Sequence, residues 1–224
     1  MAQVIGVPGR DAVWKSHEEL AKAASKLQCM LRAPRRYDEA SLAQIRDAIQ
    51  QPSNWIAGAL GECRTGEELE HLPDDYVVFH DFHLRQPNGD RAPWNVDHIV
   101  VGPTGVFVID SKNCRASSTP PAAKSKRTQE HVRTVQRQAM QVHDWLKSPV
   151  PGGSSGAFVQ GVVVHANGHT YVEKTEEGHV WVLPLRMLRS RIEGRPHRLD
   201  LSDVASISKS LMHRRALTPA DAFR

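Results

Sequence analysis

The sequence predicts an α/β domain: a central mixed β-sheet flanked by helices, with an N-terminal helical appendage. Three observations carry this. Strand candidates rich in apolar residues occur at Tyr76–Leu84, Ile99–Val101, Val106–Ile109, Phe158–Val164 and Val180–Leu183. Segments with apolar residues at helical spacing lie before, between and after them. The resulting order of helix, strand, hairpin, helix, strand is that of a mixed sheet with helices packed on it.

The first 55 residues form the appendage. Ser16 and Glu19 have the spacing of a capping box, and Ala-, Leu- and Lys-rich sequence follows to about Leu31. Ala33-Pro34-Arg35-Arg36 breaks that helix, and Leu42, Ile45 and Ile49 mark a second amphipathic stretch. Gln51-Pro52-Ser53-Asn54 reads as a linker to a second domain over 56–224, with its core at about 58–185 and a closing helix at about 200–214. In that domain a helix is expected to start near Ala57–Gly61 and to end at Pro73-Asp74-Asp75. The strand Tyr76–Leu84 and a polar turn carrying Asn88-Gly89 come next. Two apolar runs around Gly102-Pro103-Thr104-Gly105 make a hairpin. Residues 115–127 are a Ser/Pro/Lys loop. Val132, Val135, Ala139, Val142 and Leu146 give a helix over Thr128–Leu146, and Ser148–Gly156 is a Gly/Ser/Pro break. Phe158–Val164 reads as a continuous strand, apolar but for Gln160, as expected where both faces are covered.

With 224 residues, 40% of them hydrophobic and 24% charged, the chain has the composition of a globular protein and ample length for a core. No run approaches the roughly 18 apolar residues that span a membrane, and Met1–Glu19 lacks the apolar core of a signal peptide. A cytoplasmic location is therefore the expectation. The three cysteines, Cys29, Cys63 and Cys114, are too scattered for a disulfide framework or a zinc pair. The net charge of +4 suits a polyanion partner. Much of it gathers at Arg115, Lys124, Lys126, Arg127, Arg133 and Arg137, opposed there only by Glu130, and a second group is Arg186, Arg189, Arg191, Arg195 and Arg198. Either group alone equally describes a solvated face.

The hairpin concentrates the chemistry. Asp97 opens its first strand and Asp110-Ser111-Lys112 closes its second, so both carboxylates and an ammonium fall at one open end. Strand alternation puts Asp110 and Lys112 on one face and Ser111 on the other. A two-residue loop at Pro103-Thr104 would set Asp97 directly opposite Asp110. Pro103 excludes the type I′ turn favoured for such loops, so a bulge at Gly105 that shifts the register by one is expected. A cation such as Mg²⁺ takes one or two carboxylates and fills its remaining positions with other oxygens. Asp97, Asp110 and the Ser111 backbone carbonyl suit that, with Lys112 placed to orient or help deprotonate the attacking water or to offset transition-state charge. His80 and His83, three apart on a strand, are expected to face opposite sides. His165 and His169 flank a turn and lack helical zinc-site geometry.

The segments GALGE (Gly58–Glu62), LPDDYVVFHDFHL (Leu72–Leu84), VDHIVVGPTGVFVIDSKN (Val96–Asn113) and the strand at Phe158–Val164 resemble the nuclease-related domain, a branch of the PD-(D/E)xK nuclease superfamily. The resemblance implies a restriction-endonuclease-like core and metal-dependent DNA cleavage with Mg²⁺ or Mn²⁺. It implies a site of Glu62, Asp97, Asp110 and Lys112, with Glu62 joining the metal ligands and a helix glutamine, Gln138 or else Gln136, added. Asp110 stands where many members carry Glu, which shortens the reach by one methylene and keeps the charge. Lys124, Lys126, Arg127, Arg133 and Arg137 would then grip phosphates. The alternatives are a catalytically silent nucleic-acid- or protein-binding module on the same fold, and an oligomerisation or recruitment role for residues 1–55.

Overall fold

The computed structural model describes residues 1–32, 39–85, 91–115, 126–147, 158–167, 173–174 and 180–216. The expected turn at Asn88-Gly89, most of the 115–127 loop, the break at 148–156 and His169 lie outside them, as do the side chains of Cys29 and Cys114. Among the described residues the strands are β1 (Gln3–Ile5), β2 (Val77–Arg85), β3 (Arg91–Gly102), β4 (Gly105–Arg115), β5 (Val159–Asn167), β6 (Glu173–Lys174) and β7 (Val180–Pro184). The helices are α1 (Arg10–Arg32), α2 (Glu39–Glu70), α3 (Lys126–Lys147), α4 (Leu188–Glu193) and α5 (Leu201–Arg214), and a 3-10 turn (Leu185–Met187) leads into α4.

The strands form one mixed sheet in the order β1-β2-β3-β4-β5-β7-β6. β2, β3 and β4 are an antiparallel meander, whereas β5 runs parallel to both β4 and β7. That placement explains why β5 is buried on both faces from Gln160 to Val164, with Val162, Val163 and Val164 as its apolar centre. On one side, Val142 and Leu146 of α3 and Val204, Ile207 and Leu211 of α5 pack against Phe79, Ile99, Val101, Val106 and Val108. On the other, Leu69 at the end of α2 and Leu188 and Ile192 of α4 pack against Val78, Val100, Phe107, Ile109, Val162 and Val164. Each such side chain contributes on the order of 1.5–3 kcal/mol by leaving water. The expected closing helix is α5, whose N-cap Asp200 accepts from the Asp203 amide at 2.8 Å and donates its own backbone N–H to the Asp203 carboxylate at 3.2 Å.

Three expectations are corrected. The linker at Gln51–Asn54 and the helix start at Ala57–Gly61 both lie inside α2, so the boundary drawn between residues 55 and 56 falls within a continuous helix. Pro52 costs that helix a hydrogen bond, but its ring is buried and α2 packs along α1, so tertiary contact overrides the local breaker. The first 55 residues are not purely helical either, because β1 extends the sheet by pairing parallel to β2. Finally, α1 begins six residues before Ser16; the Ser16 hydroxyl bonds back to the Val13 carbonyl at 2.7 Å and caps nothing.

The hairpin takes the direct register. Gly102 pairs with Gly105, Val101 with Val106 and His98 with Ile109, leaving Pro103-Thr104 as the connection. The expected one-residue shift is absent because Gly105, at φ 131°, absorbs the twist that Pro103 cannot. The β3–β4 ladder ends at His98 and Ile109, one step short of Asp97 and Asp110.

Candidate active site

The site lies where that ladder stops. Asp97 reaches across the gap, and its Oδ2 accepts the Ser111 backbone N–H at 2.7 Å, taking the place of a ladder acceptor. Asp110 and Lys112 share a face as alternation requires. The ammonium donates to Asp110 Oδ1 at 2.8 Å and stands 2.7 Å from Oδ2 in an ion-pair contact. Ser111 turns the other way, its hydroxyl 3.1 Å from His98 Nε2, and His98 Nδ1 lies 2.7 Å from His80 Nδ1. His83 Nε2 meets Asp11 Oδ2 at 2.6 Å.

Glu62 comes from α2. The helix approaches β4 closely at Gly61, where a Cβ would stand 2.9 Å from the Asn113 Cβ and 3.2 Å from its backbone nitrogen. Asn113 fastens the contact by donating to the Ala57 carbonyl at 2.6 Å. Glu62 is buried and its Oε2 has no hydrogen-bond partner. Burial, then the charges of Asp97 and Asp81, push its carboxyl up to about 10. Asp97 is likewise pushed up to about 7, by burial first and Asp110 second. Burial lowers the Lys112 pKa, but Asp110 and Asp97 outweigh it and hold the ammonium above its ordinary value.

Gln138 sits on the flank of α3, donates to the Asn95 carbonyl at 2.9 Å and leaves a buried Oε1 without a partner. Gln136 faces outward instead, with Glu130, Arg133, Thr134, Arg137 and Met140 along an open groove of about 680 Å³. Arg133 and Arg137 are exposed there. Lys124 lies outside the described residues, and Lys126 and Arg127 form the first turn of α3, with side chains outside them.

Sequence reasoning missed Asp81. Its backbone has φ 46°, the one positive value at a non-glycine residue among those described. This breaks the alternation of β2, so Phe79 and Phe82, three apart, join the same core cluster with rings 5.7 Å apart. An acid in the middle of YVVFHDFHL, between aromatics at an odd spacing, was the available signal.

The donors fit a hard divalent cation. The buried Oε2 of Glu62 lacks a hydrogen bond, and the negative charges of Asp97, Asp81 and Asp110 raise the proton affinity of Glu62 while Asp110 and Asp81 raise that of Asp97. All are oxygen donors, the type that Mg²⁺ and Mn²⁺ prefer. Among the described residues no three His, Cys, Asp or Glu side chains form a ready-made cage, which Mg²⁺ does not need when carbonyl, water and phosphate oxygens complete its shell.

A mixed sheet flanked by helices, with an Asp-x-Lys strand end beside two further acids, has the restriction-endonuclease-like architecture of the PD-(D/E)xK superfamily. Within it, residues 57–166 match the family model described as the nuclease-related domain, and the chain carries that domain. No curated protein and no solved structure matches the chain. No helix among the described residues is long and apolar enough to cross a membrane.

Proposed function

We propose that the protein is a metal-dependent nuclease that hydrolyses phosphodiester bonds of DNA. The carrying observation is the Asp110–Lys112 pair, fixed on one strand face near Asp97 and Glu62, with the buried Oε2 of Glu62 left without a hydrogen bond. Asp97, Asp110, the Ser111 carbonyl and Glu62 would hold the cation. When bound, Mg²⁺ or Mn²⁺ supplies Lewis acidity and neutralises phosphate charge. The Lys112 ammonium, held charged by Asp110, orients the attacking water and stabilises charge developing on the phosphoryl oxygens. Gln138 fastens α3 to β3 two residues before Asp97. Arg133 and Arg137, with Lys124, Lys126 and Arg127, grip the phosphate backbone without reading sequence.

The test incubates purified protein with supercoiled plasmid and linear duplex, with and without Mg²⁺ or Mn²⁺. Cleavage should require metal and fall by at least about a hundredfold in Asp110→Ala and Lys112→Ala. Cleavage that persists in those variants removes the pair from the mechanism. One observation favours a silent binding module: the Lys112 ammonium lies within ion-pair distance of both Asp110 oxygens and neutralises the carboxylate. Salt-sensitive DNA binding with no metal-dependent turnover would support that second reading.

A further inference from the structure

We infer that Asp81 is a positioning residue: it ties the N-terminus of α1 to the start of β3 and so sets where Asp97 stands. The inference rests on the reading of Asp97 as a metal ligand. Asp81 is 4% exposed, and both its carboxylate oxygens are engaged. Oδ2 accepts the Asp11 backbone N–H at 3.1 Å, capping the first turn of α1 from 70 residues away. Oδ1 accepts from Asn95 Nδ2 at 3.2 Å. The Asn95 carbonyl is in turn held by Gln138 of α3. Three elements, α1, β2 and α3, therefore converge on Asn95, two residues before Asp97.

That convergence matters because Asp97 has left the ladder. Beyond His98 no β4 pairing holds β3 on that side, so the path of residues 95–97 is set by the β2 pairs Phe82–Val96 and His83–Asn95, by the side-chain bonds at Asn95 and by the Asp97–Ser111 contact. Across β2 and β3, Asp81 stands opposite Asp97, between the pairs His80–His98 and Phe82–Val96. Its charge also acts on both Glu62 and Asp97, adding to the negative potential that a cation would neutralise. The strained backbone at Asp81 then has a use: it turns the carboxylate out of the strand's regular alternation and toward the α1 amides. Supports of this kind, bonded to ligand-bearing segments, typically govern metal affinity or activity by about 10–100-fold.

Glycine at this position separates the two roles of the residue. Asp81→Gly accommodates the positive φ without strain but removes the carboxylate. Asn95→Ala removes one of its partners and leaves the β2 backbone untouched. Full-length wild type and the variants are compared by thermal unfolding, by Mn²⁺ titration followed by electron paramagnetic resonance, and by kcat and KM on duplex DNA. The expected result for Asp81→Gly is a folded protein whose Mn²⁺ affinity and kcat fall by about 10–100-fold while KM for DNA stays nearly constant. Asn95→Ala should move in the same direction by less. Wild-type Mn²⁺ affinity and kcat in both variants, or a loss of melting temperature alone, overturns the inference. Asp110→Ala is the control: Mn²⁺ binding unaffected by that change sinks the metal-site reading itself, whatever Asp81 does.

Discussion

Glu62→Gln offers the sharpest separation of stability from function. In the folded protein the Glu62 proton is held up to about 10, against an ordinary value of 4.5, by burial and by Asp97 and Asp81. Between those values the unfolded chain has released the proton and the folded chain retains it. The unfolded state then binds fewer protons, so stability falls as pH rises, and the loss begins near 4.5. Each pH unit in that window is worth about 1.4 kcal/mol, so at neutral pH the native carboxyl costs up to about 3 kcal/mol. A neutral glutamine avoids that cost, and its amide finds acceptors in the surrounding carboxylates. Metal-free Glu62→Gln should therefore be more stable than wild type at pH 7, equal to it near pH 4.5, and increasingly superior toward pH 8. Urea unfolding in EDTA across that range measures the difference. Adding Mn²⁺ should stabilise wild type far more than the variant, and cleavage should be lost in the variant. A difference that does not vary with pH, or a variant less stable than wild type at pH 7, refutes the reasoning that Glu62 is a strained, unpartnered acid.

Gly61→Ala should destabilise the protein by about 1–3 kcal/mol and impair cleavage. The helix-propensity gain of roughly 1 kcal/mol is outweighed because the added methyl meets the Asn113 Cβ and backbone at 2.9 and 3.2 Å, atoms that cannot rotate aside; unchanged stability would show that α2 yields freely. Burial lowers His80 to about 4 and His98 well below its ordinary value, so the unfolded chain takes up protons below about pH 6.5 that the folded chain refuses. Asp97 and Asp81, pushed up to about 7 and about 6, gain stability over the same range and oppose this loss. The histidine share is therefore read by comparing urea midpoints of Glu62→Gln with those of Glu62→Gln/His80→Gln: the former should fall further between pH 7.5 and 5, and an equal fall would contradict a neutral His80. Replacing Arg133 and Arg137 together with alanine should weaken DNA binding equally for unrelated sequences and reduce the salt slope by about 2; an unchanged slope removes α3 from the interface.

What could be read from the chain itself is what strand and turn geometry impose over a few residues. Alternation alone sets Asp110 and Lys112 on one face and Ser111 on the other, because a strand repeats every two residues wherever it lies. The largely apolar run Phe158–Val164 likewise announces a strand covered on both faces, and the ion pair and the parallel neighbours of β5 follow those patterns. Local signals failed where distant contacts compete with them. Pro52 reads as a break but lies buried in a helix packed on α1, and Ser16 reads as a cap while Asp81 does the capping. The convergence of Glu62, Asp81 and Asp97 on the Asp110–Lys112 pair was decided by tertiary structure alone. It depends on how closely α2 passes β4 at Gly61 and on where the β3–β4 ladder ends. Neither is encoded in the spacing of any one segment, because each is an energy balance between surfaces that meet only when the chain has folded.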